Sequence, residues 1–159
     1  MYNYGMDIVD KNILSILQND ATVPLTVIAK KVGLSTTPCF NRIKKMEEDG
    51  IIKKRVTLID SNKVNLPVII FLSIRVAQHS KEWLEKFVDK ITNFEEVIEM
   101  YRLTGDTDYL IKIVANSIEE YDTLNQRIIK EINFRSLSSN IVLKEIKNTT
   151  VLPLENLKI

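Results

Sequence analysis

The hydrophobic positions of the first fifty residues recur at helical spacing in three short runs, which predict three helices. Asp7 is the expected N-cap of the first helix. The second begins near Pro24 and ends at Gly33, where a glycine can take the positive φ of a tight helix-helix turn. The third begins after Ser35, a good N-cap residue, and ends at Gly50. Two short helices joined by such a turn predict a helix-turn-helix.

The pattern then changes from helical spacing to alternation. Residues 51–59 alternate roughly between apolar and polar side chains, which predicts a short β-wing or exit strand. The turn-rich residues 60–63 follow and indicate a boundary. We therefore expect a winged helix-turn-helix domain over residues 1–60, a linker over 61–66 and a second domain over 67–159.

The second domain combines four strand patterns with two helix patterns. The strands are predicted at residues 68–76, 97–103, 109–114 and 137–146. Ser80 is expected to cap the first helix, and Ser117 to form a capping box with Glu120 at the second. The order β-α-β-β-α-β predicts a ferredoxin-like sandwich and an α+β fold. The sheet face without helices also carries apolar residues, so it needs a second surface, which favours a homodimer.

The predicted third helix has two different faces. Cys39, Ile43 and Met46 fall at i, i+4 and i+7 and form one apolar stripe. Hydroxyl, amide and ammonium groups are left on the opposite face. They belong to Thr36, Thr37, Asn41, Lys44 and Lys45. Such an outward face suits the major groove of double-stranded DNA, so the pattern predicts a DNA-binding recognition helix.

Positive charge is concentrated in the same segment, although the whole chain has a formal net charge of only +1. Residues 30–55 contain eight basic and three acidic residues, a net charge of +5. Residues 61–159 contain 13 basic and 14 acidic residues, a net charge of −1. A basic segment on an otherwise nearly neutral chain is the electrostatic footprint expected of a nucleic-acid-binding surface.

Few residues offer other chemistry. A single cysteine, no signal-peptide pattern and no apolar run long enough to span a bilayer lead us to expect a cytoplasmic protein. Cys39 lies on the apolar stripe and His79 in a turn, so neither is assigned a nucleophilic or metal-binding role. Asp106 and Asp108 could pair for acid-base or metal chemistry, but their local sequence is that of a hairpin turn. We expect no catalytic residue, metal site or cofactor.

Four longer motifs occur in order along the chain. They are D-x-x-D-x-x-I-L-x-x-L-Q-x-D at residues 7–20, I-A-K-K-V-G-L-S-x-T-P-C at 28–39, R-I-K-K-M-E-E-D-G-I-I at 42–52 and L-T-G-D-T-D-Y-L at 103–110. With them the chain resembles the Lrp/AsnC family of feast/famine transcription regulators across nearly its whole length. The resemblance implies an N-terminal DNA reader and a C-terminal domain that assembles dimers and binds amino-acid effectors.

The resemblance also implies an effector site. In such proteins the loop equivalent to Thr104, Gly105 and Asp106 lies at a contact between dimers, where it holds a free amino acid. Asp106 would pair with the ammonium group of that ligand, and backbone N–H groups would meet its carboxylate. Three further residues match positions tied to the effector response and would line the apolar side. They are Ile118, Ile141 and Val142.

Predicted DNA contacts fall into base-reading and phosphate-binding groups. The whole set is Ser35, Thr36, Thr37, Phe40, Asn41, Arg42, Lys44 and Lys45. Phe40 and the two threonine methyl groups suit thymine methyls, and Asn41 suits a base edge. The basic residues suit phosphates, with residues 53–55 as further candidates, although Arg42 could instead pair within the protein.

The sequence thus predicts an effector-modulated, sequence-specific transcription regulator that assembles as a dimer, tetramer or octamer. Two other classes of protein stay open beside it. One is a ferredoxin-like small-molecule-binding protein or metabolic enzyme, but the sequence offers no nucleophile-base pair and no phosphate-binding loop. The other is an RNA-recognition motif, which stacks bases on sheet aromatics. The third strand offers only Tyr109 for that purpose and lacks the motif of that fold.

Overall fold

The structure is a computed structural model that describes residues 5–78 and 80–156, so His79 lies outside it. The N-terminal part folds into three helices. They are α1 (Ile8–Asn19), α2 (Leu25–Lys31) and α3 (Thr36–Glu48). The predicted turns are confirmed, because Gly33 and Gly50 take φ angles of 73° and 72°. A residue with a Cβ would be strained at either position.

The helix starts differ in detail from those expected. Asp7 caps α1 as predicted, and Asp10 completes a capping box, because each carboxylate accepts the other residue's backbone N–H at 3.0 Å. Pro24 is the N-cap of α2 rather than its first residue, so the helix begins one residue later. Ser35 is the N-cap of α3, but its side chain makes no capping hydrogen bond.

The three helices enclose a small apolar core. Its buried members are Ile13, Ile28, Ala29, Cys39, Ile43 and Met46. The predicted apolar stripe of α3 is thus confirmed as the buried face of that helix. Ile8, the first residue of α1, is 58% exposed.

The strand predicted over residues 51–59 is wrong. All of these residues are described, and none of them belongs to a strand. Ile51 and Ile52 pack against the helical core, while Leu58 and Ile59 are 71% and 70% exposed. Alternation creates a strand only where a neighbouring strand offers backbone hydrogen bonds, and residues 51–59 pair with none.

The second part of the chain forms the sandwich. Its elements are β1 (Val68–Val76), α4 (Lys81–Thr92), β2 (Val97–Arg102), β3 (Tyr109–Ala115), α5 (Ile118–Glu131) and β4 (Phe134–Ile141). The strands form one antiparallel sheet in the order β2-β3-β1-β4, which confirms the ferredoxin-like topology. Short 3₁₀ turns at Ser61–Val64 and Leu154–Asn156 lie outside it. Ser117 caps α5, but Glu120 accepts from Asn116 instead of closing the capping box.

The two faces of the sheet are unequal. Alternate residues of β1 and β3 are fully buried with α4 and α5 in one core, among them Leu72 and Ile111. The residues between them form the open face, which is half-buried and carries both apolar and polar side chains. Its members on β1 are Ile69, Phe71, Ser73 and Arg75, its members on β3 are Leu110, Lys112 and Val114, and Glu99 and Tyr101 lie beside them on β2.

The end of the chain departs from the predicted domain division. The first compact unit comprises residues 5–57 and 147–156, and the second comprises residues 58–146. The last strand ends at Ile141 rather than at residue 146, because β1, its partner, has almost run out there. Residues 147–156, which we expected in the second domain, lie with the first unit.

Candidate DNA-binding and effector sites

Three of the polar residues that the sequence placed on the outward face of α3 lie there in the structure. At about 100° per residue, Thr37, Asn41 and Lys44 project opposite the buried stripe, and all three are exposed. Phe40 lies on one flank of this face and is 52% exposed. Its phenyl ring offers an apolar surface beside these polar groups.

Arg42 lies on the other flank and is engaged within the unit. Its guanidinium donates to the carboxylate of Asp7 at 2.7 Å and to that of Asp10 at 2.9 Å. Hydrogen bonds from the Asp10 backbone N–H and from Arg42 hold the pKa of Asp7 below its usual value, while the two carboxylates raise the pKa of Arg42. The sequence allowed Arg42 either a phosphate contact or an ion pair within the protein. In the structure Arg42 forms the ion pair.

The remaining cations of this segment are accessible. Lys44 lies 3.5 Å from Glu48 and Arg55 lies 2.8 Å from Glu47, in pairs whose side chains are all about half exposed. Exposed pairs of this kind contribute little to stability and exchange readily for phosphate. Lys45 is exposed as well. These side chains therefore supply the positive charge of the candidate DNA-binding face.

The predicted effector loop is a tight connection between β2 and β3. Leu103 N–H donates to the Asp108 carbonyl at 2.8 Å, and the Asp108 carboxylate accepts the Val76 N–H at 2.9 Å. Gly105 takes a φ of 108°, which favours glycine. Asp108 therefore anchors the loop to β1.

Arg75 is the functional candidate that sequence reasoning missed. Its guanidinium donates to the Asp106 carboxylate at 2.8 Å and to the Asp106 carbonyl. The Arg75 side chain is 40% exposed, and the Asp106 side chain is fully exposed. Arg75 of β1 and Asp106 of the loop thus present a cation beside an anion, the charge pattern that complements a free amino acid. Only the pairing of β1 with β3 brings the two residues together, because they lie 31 residues apart.

The three apolar residues of the predicted effector site lie away from the β2-β3 loop. Ile118 is 55% exposed and Ile141 41% exposed, so core packing occupies neither side chain fully. Val142 donates its N–H to the carbonyl of Ile69 at 2.9 Å, whereas the loop hydrogen-bonds to Ile74. Five residues of β1 separate these positions, about 17 Å. One chain therefore does not bring the two halves of the predicted site together.

The structure also bears on the competing classes. Tyr109 is 5% exposed on the helix-covered face of the sheet, so it cannot stack on a base. Among the described residues there is no group of three or more His, Cys, Asp or Glu side chains that could hold a metal ion. No helix within the described ranges is long and apolar enough to cross a membrane.

Comparisons with known families match both parts of the chain. Residues 6–53 match the winged helix-turn-helix DNA-binding family. Residues 69–152 match the Lrp/AsnC ligand binding domain family.

Individual relatives match over almost the full length. The glutamate uptake regulatory protein of Zymomonas mobilis is 42% identical over 149 residues, which cover 94% of this chain and 91% of that protein. An AsnC family transcriptional regulator from Agrobacterium tumefaciens has a solved structure with a TM-score of 0.91 and 50% identity, covering 96% of this chain and all of that one. A transcriptional regulator of Neisseria meningitidis, solved in complex with L-Met, has a TM-score of 0.90 and 30% identity over 96% of this chain and 99% of that one.

Proposed function

The chain belongs to the Lrp/AsnC family of DNA-binding transcription regulators, and from this premise we propose how its residues read DNA and sense an amino acid. The recognition helix α3 enters the major groove of double-stranded DNA. Thr36, Thr37, Phe40 and Asn41 meet base edges there, with Ser35 at the helix start, while Lys44 and Lys45 meet phosphates. The regulator binds DNA and carries out no reaction of its own.

One observation supports this proposal above the others: Asn41 on the outward face of α3 is exposed, while the adjacent Arg42 is engaged within the unit. Arg42 is held by two carboxylates of α1, which orients the helix. Asn41, one residue earlier, is exposed. A side-chain amide on a rigid helix is suited to a bidentate contact with adenine, because it offers a donor and an acceptor in one plane.

Two substitutions separate base reading from phosphate binding. Asn41→Ala is expected to reduce discrimination between operator and random duplex by about 1–3 kcal/mol, the value of a good bidentate base contact. Lys45→Ala is expected to weaken binding to both duplexes alike and to reduce the salt dependence by about one phosphate contact. Fluorescence anisotropy titrations at several salt concentrations measure both. An unchanged specificity ratio in Asn41→Ala would show that this orientation of α3 is wrong.

The effector site is proposed to form between copies of the chain. Asp106 and Arg75 of one copy would bind the charged end of a free amino acid, and Thr104 and Gly105 would contribute backbone groups. Ile118, Ile141 and Val142 of another copy would cover its side chain. Along β1 the loop and Val142 lie about five residues, or about 17 Å, apart. A single amino acid cannot reach both positions within one chain, which supports a site shared between two copies.

The open face of the sheet is proposed as the surface that joins two chains into a homodimer, from which tetramers or octamers assemble. It presents apolar side chains of Phe71, Leu110 and Val114 at the centre of the sheet. Soluble proteins rarely leave such a patch in contact with water. A dimer also places two recognition helices on one DNA, as a near-palindromic operator requires.

A further inference from the structure

The last described residues of the chain contact the first helix of the DNA-binding unit; we name residues 147–156 the C-terminal strap. The Gln18 side-chain amide donates to the Leu152 carbonyl at 3.1 Å and accepts the Leu152 N–H at 2.9 Å. Lys11 forms an ion pair with Glu155 at 3.3 Å. An amide that pairs with one residue in both directions defines the register of the strap on α1.

The contacts also define the direction and strength of this attachment. Lys11 and Gln18 lie seven residues apart on one face of α1, about 10 Å along its axis. Because Gln18 meets Leu152 and Lys11 meets Glu155, the strap runs antiparallel to α1. Glu155 is 91% exposed, so its ion pair is open to solvent. Attachments of this kind open more easily than a packed core, which suits a regulatory contact.

The strap begins where the sheet of the second unit ends. Val142 still donates its N–H to Ile69 of β1 at 2.9 Å. Leu143 and Ile146, which follow, are 98% and 84% exposed. Ile141 and Val142 are also the proposed apolar residues of the effector site. Residues 143–146 therefore join the proposed effector residues to the strap.

At its other end the strap leads to the recognition helix. It holds α1 through Lys11 and Gln18, and α1 holds Arg42 of α3 through Asp7 and Asp10 at 2.7 and 2.9 Å. The orientation of α3 thus depends on α1, and α1 is the element to which the strap is attached. Coupling between distant sites has a physical basis when one element has two states whose equilibrium both sites shift, and the strap, attached or released, is the candidate for that element.

We propose that the C-terminal strap is a regulatory element that couples the end of β4 to the recognition helix through α1. When attached, it holds α1 and α3 in the geometry that binds the operator. When released, it lowers operator affinity. The inference rests on the DNA-binding function proposed above. It adds a contact between α1 and residues 147–156, which lie outside the helix-turn-helix.

A charge-reversal cycle in the full-length protein tests the attachment. The variants are Lys11→Glu, Glu155→Lys and the double substitution. The strap predicts that both single variants bind the operator more weakly, by up to about threefold, and that the double variant recovers. A purely electrostatic effect on DNA predicts something different, because Glu155→Lys adds positive charge and would tighten binding. The probe is a duplex selected with the wild-type protein from random sequence.

A second pair of variants removes hydrogen bonds without changing charge. Gln18→Leu removes both contacts with Leu152, and Gln126→Leu on the surface of α5 is the matched control. Gln18→Leu is expected to weaken operator binding about three- to tenfold and to speed amide hydrogen exchange in the strap and in α1, while the control changes neither.

The outcomes separate this inference from the function on which it rests. If the wild-type protein prefers no duplex over random DNA, the proposed function fails and the role of the strap fails with it. If the wild type binds its operator and Gln18→Leu binds equally well or more tightly, the strap proposal alone is overturned. Recovery in the charge-reversed double variant, together with weaker binding by Gln18→Leu, supports it.

Discussion

Arg42 shows how one residue changes role once its neighbours are known. Its place on a basic helix favoured a phosphate contact, whereas its guanidinium lies between two carboxylates of α1. Asp10, one of these carboxylates, is 8% exposed and therefore needs a partner. We therefore expect Arg42 to support DNA binding by holding α3 against α1 rather than by contacting DNA.

This role leads to a prediction for Arg42→Met. Loss of the cation leaves two carboxylates unpaired, so the free energy of unfolding is expected to fall by about 1–3 kcal/mol, moderated by partial solvent exposure. Operator binding is expected to weaken while the slope of log Kd against log salt stays at the wild-type value, because no phosphate contact is lost. Urea unfolding and salt titrations measure the two quantities. A slope reduced as in Lys45→Ala would instead assign Arg42 to a phosphate.

Asp7 provides a prediction about acid stability. Its pKa is held below the ordinary 3.8 in the folded state by the Asp10 N–H and by Arg42. A depressed carboxyl pKa stabilises the folded state above that ordinary value, and this contribution is lost as pH falls through the folded pKa. The Tm difference between wild type and Asp7→Asn, which keeps a good N-cap, is expected to be full above about pH 5 and to shrink below about pH 4. A Tm difference that does not change with pH would contradict this role of Asp7.

At the scale of elements, the structure altered the strands more than the helices. The three N-terminal helices lie where periodicity and capping residues placed them, because those signals are local. The wing strand over residues 51–59 did not form, and β4 begins at Phe134 and ends at Ile141 rather than covering 137–146. A strand needs a partner, and a one-dimensional pattern does not say where the partner ends.

The β2-β3 loop carries the effector prediction at this scale. Asp106→Ala removes the anion that would pair with an amino-acid ammonium, while Asp108 keeps the loop anchored to β1. We expect the variant to lose any effector-dependent change in DNA binding or assembly, a coupling of about 1–3 kcal/mol, and to retain its basal operator affinity. Asp122→Ala, an exposed aspartate on α5, is the control. Calorimetry of the wild type against the common amino acids comes first: if none binds at millimolar concentration, the loop is only a turn.

For the whole molecule, the open sheet face leads to a prediction about assembly. Leu110→Arg places an additional charge on this face, and it is expected to yield monomers because burying a guanidinium between two chains carries a large desolvation cost. Each monomer would contact one half-site, so operator affinity should fall about a hundredfold or more. Ile129→Arg, on the exposed side of α5, is the control. The oligomeric state is measured by sedimentation. If Leu110→Arg remains dimeric, the chains associate through another surface.

The sequence by itself determined the helix-turn-helix, its polar outward face and the β-α-β-β-α-β order. These follow from spacing, capping residues and glycine positions within a few residues of one another. It also determined the family, because four motifs occur together in one order.

Only the tertiary structure decided which distant residues meet. Arg42 pairs with Asp7 across 35 residues, Arg75 with Asp106 across 31, and Gln18 with Leu152 across 134. Each side chain had other polar partners to choose from, so its local sequence did not identify the one it binds. The packing of helices and the pairing of strands bring specific groups within hydrogen-bond distance, and that packing is a property of the folded chain as a whole.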